Sequence, residues 1–220
     1  MCGRFTLTLP PDLIAEEFGL DDVPILEPRY NIAPTQPVAV VRRLRPGGPR
    51  QLDLLRWGVT LPPGGGARRS GPVINARSES IATRPAFREA FRRRRCLVPA
   101  DGFYEWAPGS GRRQAFHIAR KDGRPLAFAG IWEPAAHDGA SASAVILTTE
   151  PNDLLRPIHD RMPVIIDPGD YERWLSPEDT SGEALRRLLE AYPAEPLAAR
   201  AVGPAVNNAQ NEGVACLDPA

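Results

Sequence analysis

Twenty-five prolines and 19 glycines stand among the 220 residues of this chain. Proline locks φ and removes a backbone donor, and glycine weakens the interiors of helices and strands. A fifth of the positions therefore work against long helices and favour short strands joined by many turns. At roughly 150 residues per domain the length allows one large domain or two small ones, enough to bury a core. No apolar run approaches the roughly 18 residues of a membrane span.

The spacing of Leu13, Ile14, Glu17 and Phe18 predicts a short helix from Pro11 to about Gly19, which a glycine closes. PVAVVRRL and LDLLRWGV read as strands that can pair, and PPGGGARRSGP as an exposed loop. IATRPAFREAFRRRR reads as one basic amphipathic helix. Phe87 and Phe91 share a face, Arg84 and Arg88 lie on others, and Arg92 to Arg95 form a solvated end. CLVPADGFYEW, QAFHIAR, PLAFAGIW and SASAVILTT follow as short strands rich in aromatic and β-branched residues. A capped helix around DPGDYERWL, a helix from about Glu183 to Ala191, and a tail of strand and loop complete the chain. No repeat or linker interrupts it, so the expectation is one mixed α+β domain over residues 1–220, with a largely antiparallel β core flanked by short helices.

The 27 basic and 27 acidic residues cancel, which taken alone disfavours a nucleic-acid partner. The balance is uneven along the chain. Residues 1–100 hold 16 arginines against nine acids, net +7, and residues 101–220 hold 11 basic residues against 18 acids, net −7. Lys121 is the single lysine. Arginine forks phosphate bidentately and stacks on bases, although a GC-rich genome produces the same bias. The N-terminus lacks the apolar segment of a secretion signal, so a cytoplasmic location, nucleoid-associated when bound to DNA, is expected. Cys2, Cys96 and Cys216 are odd in number and lack metal-ligand spacing, which points to free thiols and to no metal or other cofactor.

Cysteine at position 2 is the most unusual local feature. Removal of an initiator methionine before a small residue would leave Cys2 with an α-amine and a thiol on adjacent carbons. Their ordinary pKa values, about 7.7–8.0 and about 8.5, leave both partly unprotonated near neutrality. Such a 1,2-aminothiol condenses with an aldehyde to a Schiff base, which the thiol closes to a thiazolidine in an effectively intramolecular step. VINARSE sets Asn75, Arg77 and Glu79 on alternate positions, GFYEW sets Glu105 between aromatic residues, and IHDRMPVII sets His159 beside Asp160 and Arg161. Each feature alone is also what a frayed terminus, a solvated strand face, a strand-end salt bridge or a capping imidazole would show.

Together these segments carry a family resemblance. MCGRF, RYNIAPT, WG, INARSE, PADGFYEW, IHDRMPV and AVNNAQNEG, in this order from Met1 to about Leu217, resemble the motifs of the SOS response-associated peptidase (SRAP) family. The resemblance implies a barrel-like fold and covalent capture of abasic sites in single-stranded DNA. It implies Cys2 as the nucleophile, Asn75 as the residue orienting its amine and the sugar, Glu105 as the acid/base of Schiff-base formation and His159 as the group assisting sugar-ring opening. Arg4 and Arg77 are implied as phosphate contacts and Pro34 and Thr149 as positions near the DNA; Arg84 and Arg88 of the basic segment are added as a flank.

Lyase-type chemistry follows, with a monomer sufficient and no membrane involved. A thiol autopeptidase that removes its own Met1, bearing a hydrolase or protease label, and a non-covalent single-strand binder are the alternatives. Where some members place tryptophans before INAR, no aromatic residue lies between Trp57 and Phe87 here, so plain single-stranded DNA is expected rather than a strand junction.

Overall fold

The computed structural model describes all residues except 1, 61–70, 110–112, 136, 138, 140 and 178–181, and only the backbone of 182–184. Most of the expected PPGGGARRSGP loop therefore lies outside the described residues. Among those residues the elements run β1 (Phe5–Leu7), α1 (Pro11–Phe18), β2 (Arg29–Ile32), β3 (Pro37–Arg42), β4 (Gln51–Trp57), β5 (Asn75–Arg77), α2 (Arg88–Arg93), β6 (Arg95–Ala100) and β7 (Gly102–Ala107). They continue with β8 (Gln114–Arg120), β9 (Leu126–Glu133), β10 (Ser143–Thr149), β11 (Met162–Pro163), α3 (Tyr171–Leu175), α4 (Gly182–Arg187) and β12 (Leu197–Val202). None of the described helices is long and apolar enough to cross a membrane.

Strands β4, β3, β6, β9 and β10 pair in that order, and β10 pairs again with β4, which closes a five-stranded barrel. Within it only the β10–β4 contact is parallel. A second sheet of order β12-β8-β7-β1-β2 is antiparallel throughout. This is the mixed α+β fold with an antiparallel core that the sequence predicts, closed into the barrel that the family resemblance implies.

Strand β1 joins the two layers. Phe5 meets Trp57 and Phe128 of the barrel edge-to-face, at ring-centroid distances of 5.2 and 5.8 Å. The chain leaves the barrel through β6 and enters the second sheet through β7, with Asp101 at the crossing. Its carboxylate accepts from the Thr6 hydroxyl and, at 2.5 Å, from the Thr8 N–H and hydroxyl. That knot sets β1 in place and with it the residues just before it.

Helix α1 ends as expected, with Gly19 in the left-handed region at φ 61°. The single basic helix over IATRPAFREAFRRRR does not form. Pro85 disfavours helical backbone in the residue before it and lacks the N–H a helix interior needs. The segment breaks into a 3₁₀ turn at Ser78–Ser80, further turns, and the short α2. The expected solvated end is corrected too. Arg95 opens β6 and is 3% exposed, Nε donating to Trp174 O at 2.6 Å, Nη1 to Phe91 O at 2.8 Å, and Nη2 to Ser176 O. One guanidinium thereby satisfies carbonyls at the C-terminal ends of both α2 and α3, groups a helix leaves without partners. Nor is α3 side-chain capped: Asp170 accepts from Arg173 instead.

Replacing Arg95 with Met would leave these buried carbonyls without donors, a cost of roughly 1–3 kcal/mol each before relaxation. Arg95→Met is expected to lower the unfolding free energy by about 3 kcal/mol in urea titration, and a loss below about 1 kcal/mol would contradict the stapling role.

Candidate active site

Cys2 has no exposed surface, so the frayed-terminus reading does not hold. Its carbonyl accepts the Asn75 Nδ2–H at 2.7 Å. Asn75 starts β5, paired in parallel with β10 through Asn75 and Ile146, Ala76 and Leu147, and Arg77 and Thr148. Its Oδ1 is buried with no hydrogen-bond partner among the described residues, an arrangement that favours accepting an N–H nearby. The strand ends at Arg77, and Glu79 lies in the following 3₁₀ turn rather than on the same strand face.

Glu105 sits on β7, where side chains alternate between faces, and it shares a face with Phe103, which packs against Phe128 of the barrel. The alternation drives the carboxyl into the space between the sheets, where its side chain is 3% exposed. Burial raises its pKa from about 4.5 to about 7. Burial, and second the Glu105 charge, push the Cys2 thiol well above its ordinary value, while a hydrogen bond from the Arg4 backbone N–H pulls the other way. The thiol is thus neutral near pH 7 with a proton acceptor close by.

His159 lies in the connection from β10 to β11, its own N–H donating to Leu155 O at 2.8 Å. Its Nε2 stands 3.8 Å from Glu105 Oε2, and partial burial lowers its pKa. His159 also lines an open cavity of about 730 Å³, rimmed by Arg77, Arg113, Arg156, Arg161, Trp106 and Asp160. Cys2, Asn75 and Glu105 do not line that cavity, and His159 links them to it.

Four of the residues expected to be catalytic therefore converge from four separate segments. The expected binding residues divide. Arg77 is exposed on the cavity. Arg4 is held by Asn31 Oδ1 and Val206 O, each 2.8 Å from Nη1, with its guanidinium 5.7 Å from the Trp106 ring centroid. Thr149 is buried and lines an adjoining cavity of about 950 Å³ that shares Glu150, Pro151 and Arg156 with the first. Pro34 is half-buried in the turn before β3. Arg84 stacks over Phe87 at 5.6 Å and Arg88 is exposed on α2; neither lines either cavity.

Residues the sequence reading passes over complete the surroundings. Asn31 and Glu212 lie within quoted motifs, and their roles emerge only in contact. Glu212 Oε1 takes the Tyr30 and Asn31 N–H groups, while Asn31 Nδ2 donates to the carbonyls of Asn208 and Asn211. Arg113 and Arg156 carry no motif signal at all. Among the described residues no group of three or more His, Cys, Asp or Glu side chains is arranged to hold a metal ion.

The profile of the SOS response associated peptidase (SRAP) family matches residues 1–209. The chain belongs to the SRAP family. Bacillus subtilis abasic site processing protein YoaM is 38% identical to this SRAP chain, over 99% of it and 98% of its own length. Escherichia coli abasic site processing protein YedK is 31% identical over the whole of both, and Xenopus tropicalis abasic site processing protein HMCES is 26% identical over 99% of this chain and 78% of its own length. Among solved structures, a Bacteroides thetaiotaomicron protein at 22% identity shares the SRAP chain's fold over the full length of both, with a TM-score of 0.83. A phage-related protein from Bordetella bronchiseptica, 31% identical, covers 91% of this chain and 94% of its own at a TM-score of 0.72.

A carboxyl whose folded pKa is near 7 against about 4.5 unfolded keeps its proton in the folded state while the unfolded chain has lost it. Its effect on stability is absent below about pH 4.5, grows unfavourable as pH rises to 7, and is constant above. Relative to Glu105→Gln, the wild-type protein is expected to lose about 3 kcal/mol of stability across that window. Denaturant titrations of both proteins at pH 4.5, 6 and 8 check this; a pH-independent difference would contradict the raised pKa.

Proposed function

We propose that this protein captures abasic sites in single-stranded DNA covalently, through a thiazolidine formed by Cys2 after Met1 is removed. The observation that carries the reading is the convergence of Cys2, Asn75, Glu105 and His159 beneath an arginine-rimmed cavity. The names of the relatives, abasic site processing proteins, support the substrate class.

The geometry is compatible with the following chemistry. An abasic sugar rests mostly as a closed hemiacetal, and His159, on the cavity wall, moves the proton that opens it to the aldehyde. The Cys2 amine adds to C1′ to give a carbinolamine, with Asn75 orienting the residue through the Cys2 carbonyl. Protonated Glu105 gives its proton to the departing hydroxyl, releasing water and leaving an iminium. The resulting carboxylate takes the Cys2 thiol proton, and the sulfur adds to the iminium carbon, closing the ring with Glu105 restored. A carboxyl with pKa near 7 suits both halves of that exchange. With C1′ held in a thiazolidine, the β-elimination open to a free aldehyde is suppressed.

An abasic nucleotide has no base to read, so recognition rests on the backbone. Arg77 on the cavity, and Arg4, anchored through Nη1 with no hydrogen bond from Nε or Nη2 among the described residues, are proposed to hold phosphates. The absence of aromatic residues between Trp57 and Phe87 supports plain single strands as substrate.

Cys2→Ala is expected to give no hydrolysis-resistant adduct with an abasic-site oligonucleotide on a denaturing gel, while wild-type protein gives one whose N-terminal peptide carries the sugar mass. A full-strength stable adduct from the variant, or none from the wild type, would sink the proposal. Capture should weaken between 50 and 200 mM salt, whereas adduct already formed should be indifferent to salt.

A further inference from the structure

The site is built on both edges of one strand. β5, with Asn75 and Arg77, pairs along one edge of β10, and β11, which follows the His159 connection, pairs along the other. Arg161 crosses between them: Nη1 and Nη2 meet Glu79 Oε1 and Oε2 at 2.6 and 3.0 Å, and Nη2 also donates to Thr148 O at 2.6 Å. The Arg161 side chain is mostly buried. The geometry is bidentate, the arrangement in which an arginine–carboxylate pair is most directional.

The backbone of the same arginine touches the site. Arg161 N–H donates to His159 Nδ1 at 3.0 Å, while Asp160 Oδ1 stands 2.9 Å from that same nitrogen. A neutral imidazole cannot satisfy both. Either Nδ1 accepts from Arg161 and Nε2 carries the proton toward Glu105, or Nδ1 carries the proton to Asp160 and Nε2 is a bare acceptor. Asp160 is 87% exposed and free to turn into solvent, whereas the Arg161 peptide belongs to a residue clamped at its other end.

We propose that Glu79 is a positioning residue: by gripping Arg161 it holds the Arg161 peptide against His159 Nδ1 and so keeps the neutral ring as the Nε2–H tautomer facing Glu105. This deepens the abasic-site reading, in which His159 moves a proton, but the tautomer itself is independent of any substrate. Among the described residues, the charged groups around the imidazole include Glu105 on β7, Asp160 and Arg161 on its own connection, Arg77 on β5, and Arg113 and Arg156 on the shared cavity, and the N-terminal amine of the chain also acts on it.

The test is ¹⁵N NMR of the imidazole of His159 in protein without DNA, above the pH at which the ring loses its charge. Wild type is expected to show the Nε2–H form. Glu79→Ala is expected to show a majority of the Nδ1–H form, with Asp160 as acceptor, and the double variant Glu79→Ala/Asp160→Ala is expected to return to Nε2–H. Glu79→Gln, which keeps one acceptor and the side-chain shape, is expected to fall between and covers the case in which the alanine variant does not fold. An unchanged Nε2–H tautomer in the folded Glu79 variants, whether or not their stability falls, would overturn the proposal, as would an Nδ1–H wild type. Adduct formation with the abasic oligonucleotide is expected to slow about 10- to 100-fold in Glu79→Ala, the scale on which such supporting contacts act. A wild type that holds the Nε2–H tautomer and makes no adduct would refute the DNA chemistry and leave the role of Glu79 standing.

Discussion

Burial of Cys2 and of strand β1 just after it is the constraint on which the rest depends. Chain termini are ordinarily solvated and disordered. Here β1 is hydrogen-bonded on both edges, to β2 and to β7, while Phe5 is inserted against Trp57 and Phe128 of the barrel and Asp101 grips the threonines at its far end. Position 2 thereby acquires a defined place and a low-dielectric setting. The same desolvation that keeps the Cys2 thiol protonated lifts Glu105 to about 7, so one physical cause sets the protonation of both groups.

Arginine carries out three distinct jobs in this molecule, and the near absence of lysine makes the division easy to see. Arg95 is an interior staple whose planar fork reaches carbonyls on two helices, a task a lysine ammonium with its single nitrogen could not cover. Arg4 and Arg161 hold other groups of the site in place. Arg77, Arg113 and Arg156 line the cavity at His159. Two of those last three come from residues 101–220, the half whose net charge is −7. The split of charge along the chain is therefore not a split of surface, because folding interleaves the halves around β10.

Legibility varied with the range of the interaction that decides each feature. Helix α1 and its Gly19 terminus, and most of the strands from Arg95 to Thr149, follow from local propensity and alternation, but CLVPADGFYEW, which reads as one strand, is broken at Asp101 where the chain passes from one sheet to the other. The basic helix failed because Phe87 and Phe91 match helical spacing while Pro85 breaks the backbone, and periodicity does not weigh a missing donor. Arg95 was misread because a buried guanidinium is recognisable only once the helix ends that supply its acceptors are in place. Cys2, Asn75, Glu105 and His159 were found through motifs, and Glu105 also through its aromatic neighbours. Asn31, Glu212, Arg113 and Arg156 act through partners distant in sequence and left no local pattern to read.

What the sequence by itself determined is the inventory and its style of folding: short strands enforced by proline and glycine, a cysteine at position 2, a carboxylate among aromatic residues, a histidine beside an aspartate and an arginine. These are properties of single residues and near neighbours. The tertiary structure alone decided that the barrel closes on itself through the parallel contact of β10 with β4, and that Cys2 is interior. It alone decided that Glu79 and Arg161 meet across β10 and bring an N–H to His159 Nδ1. These contacts are set by distances between segments far apart in the sequence, and no local preference encodes those distances.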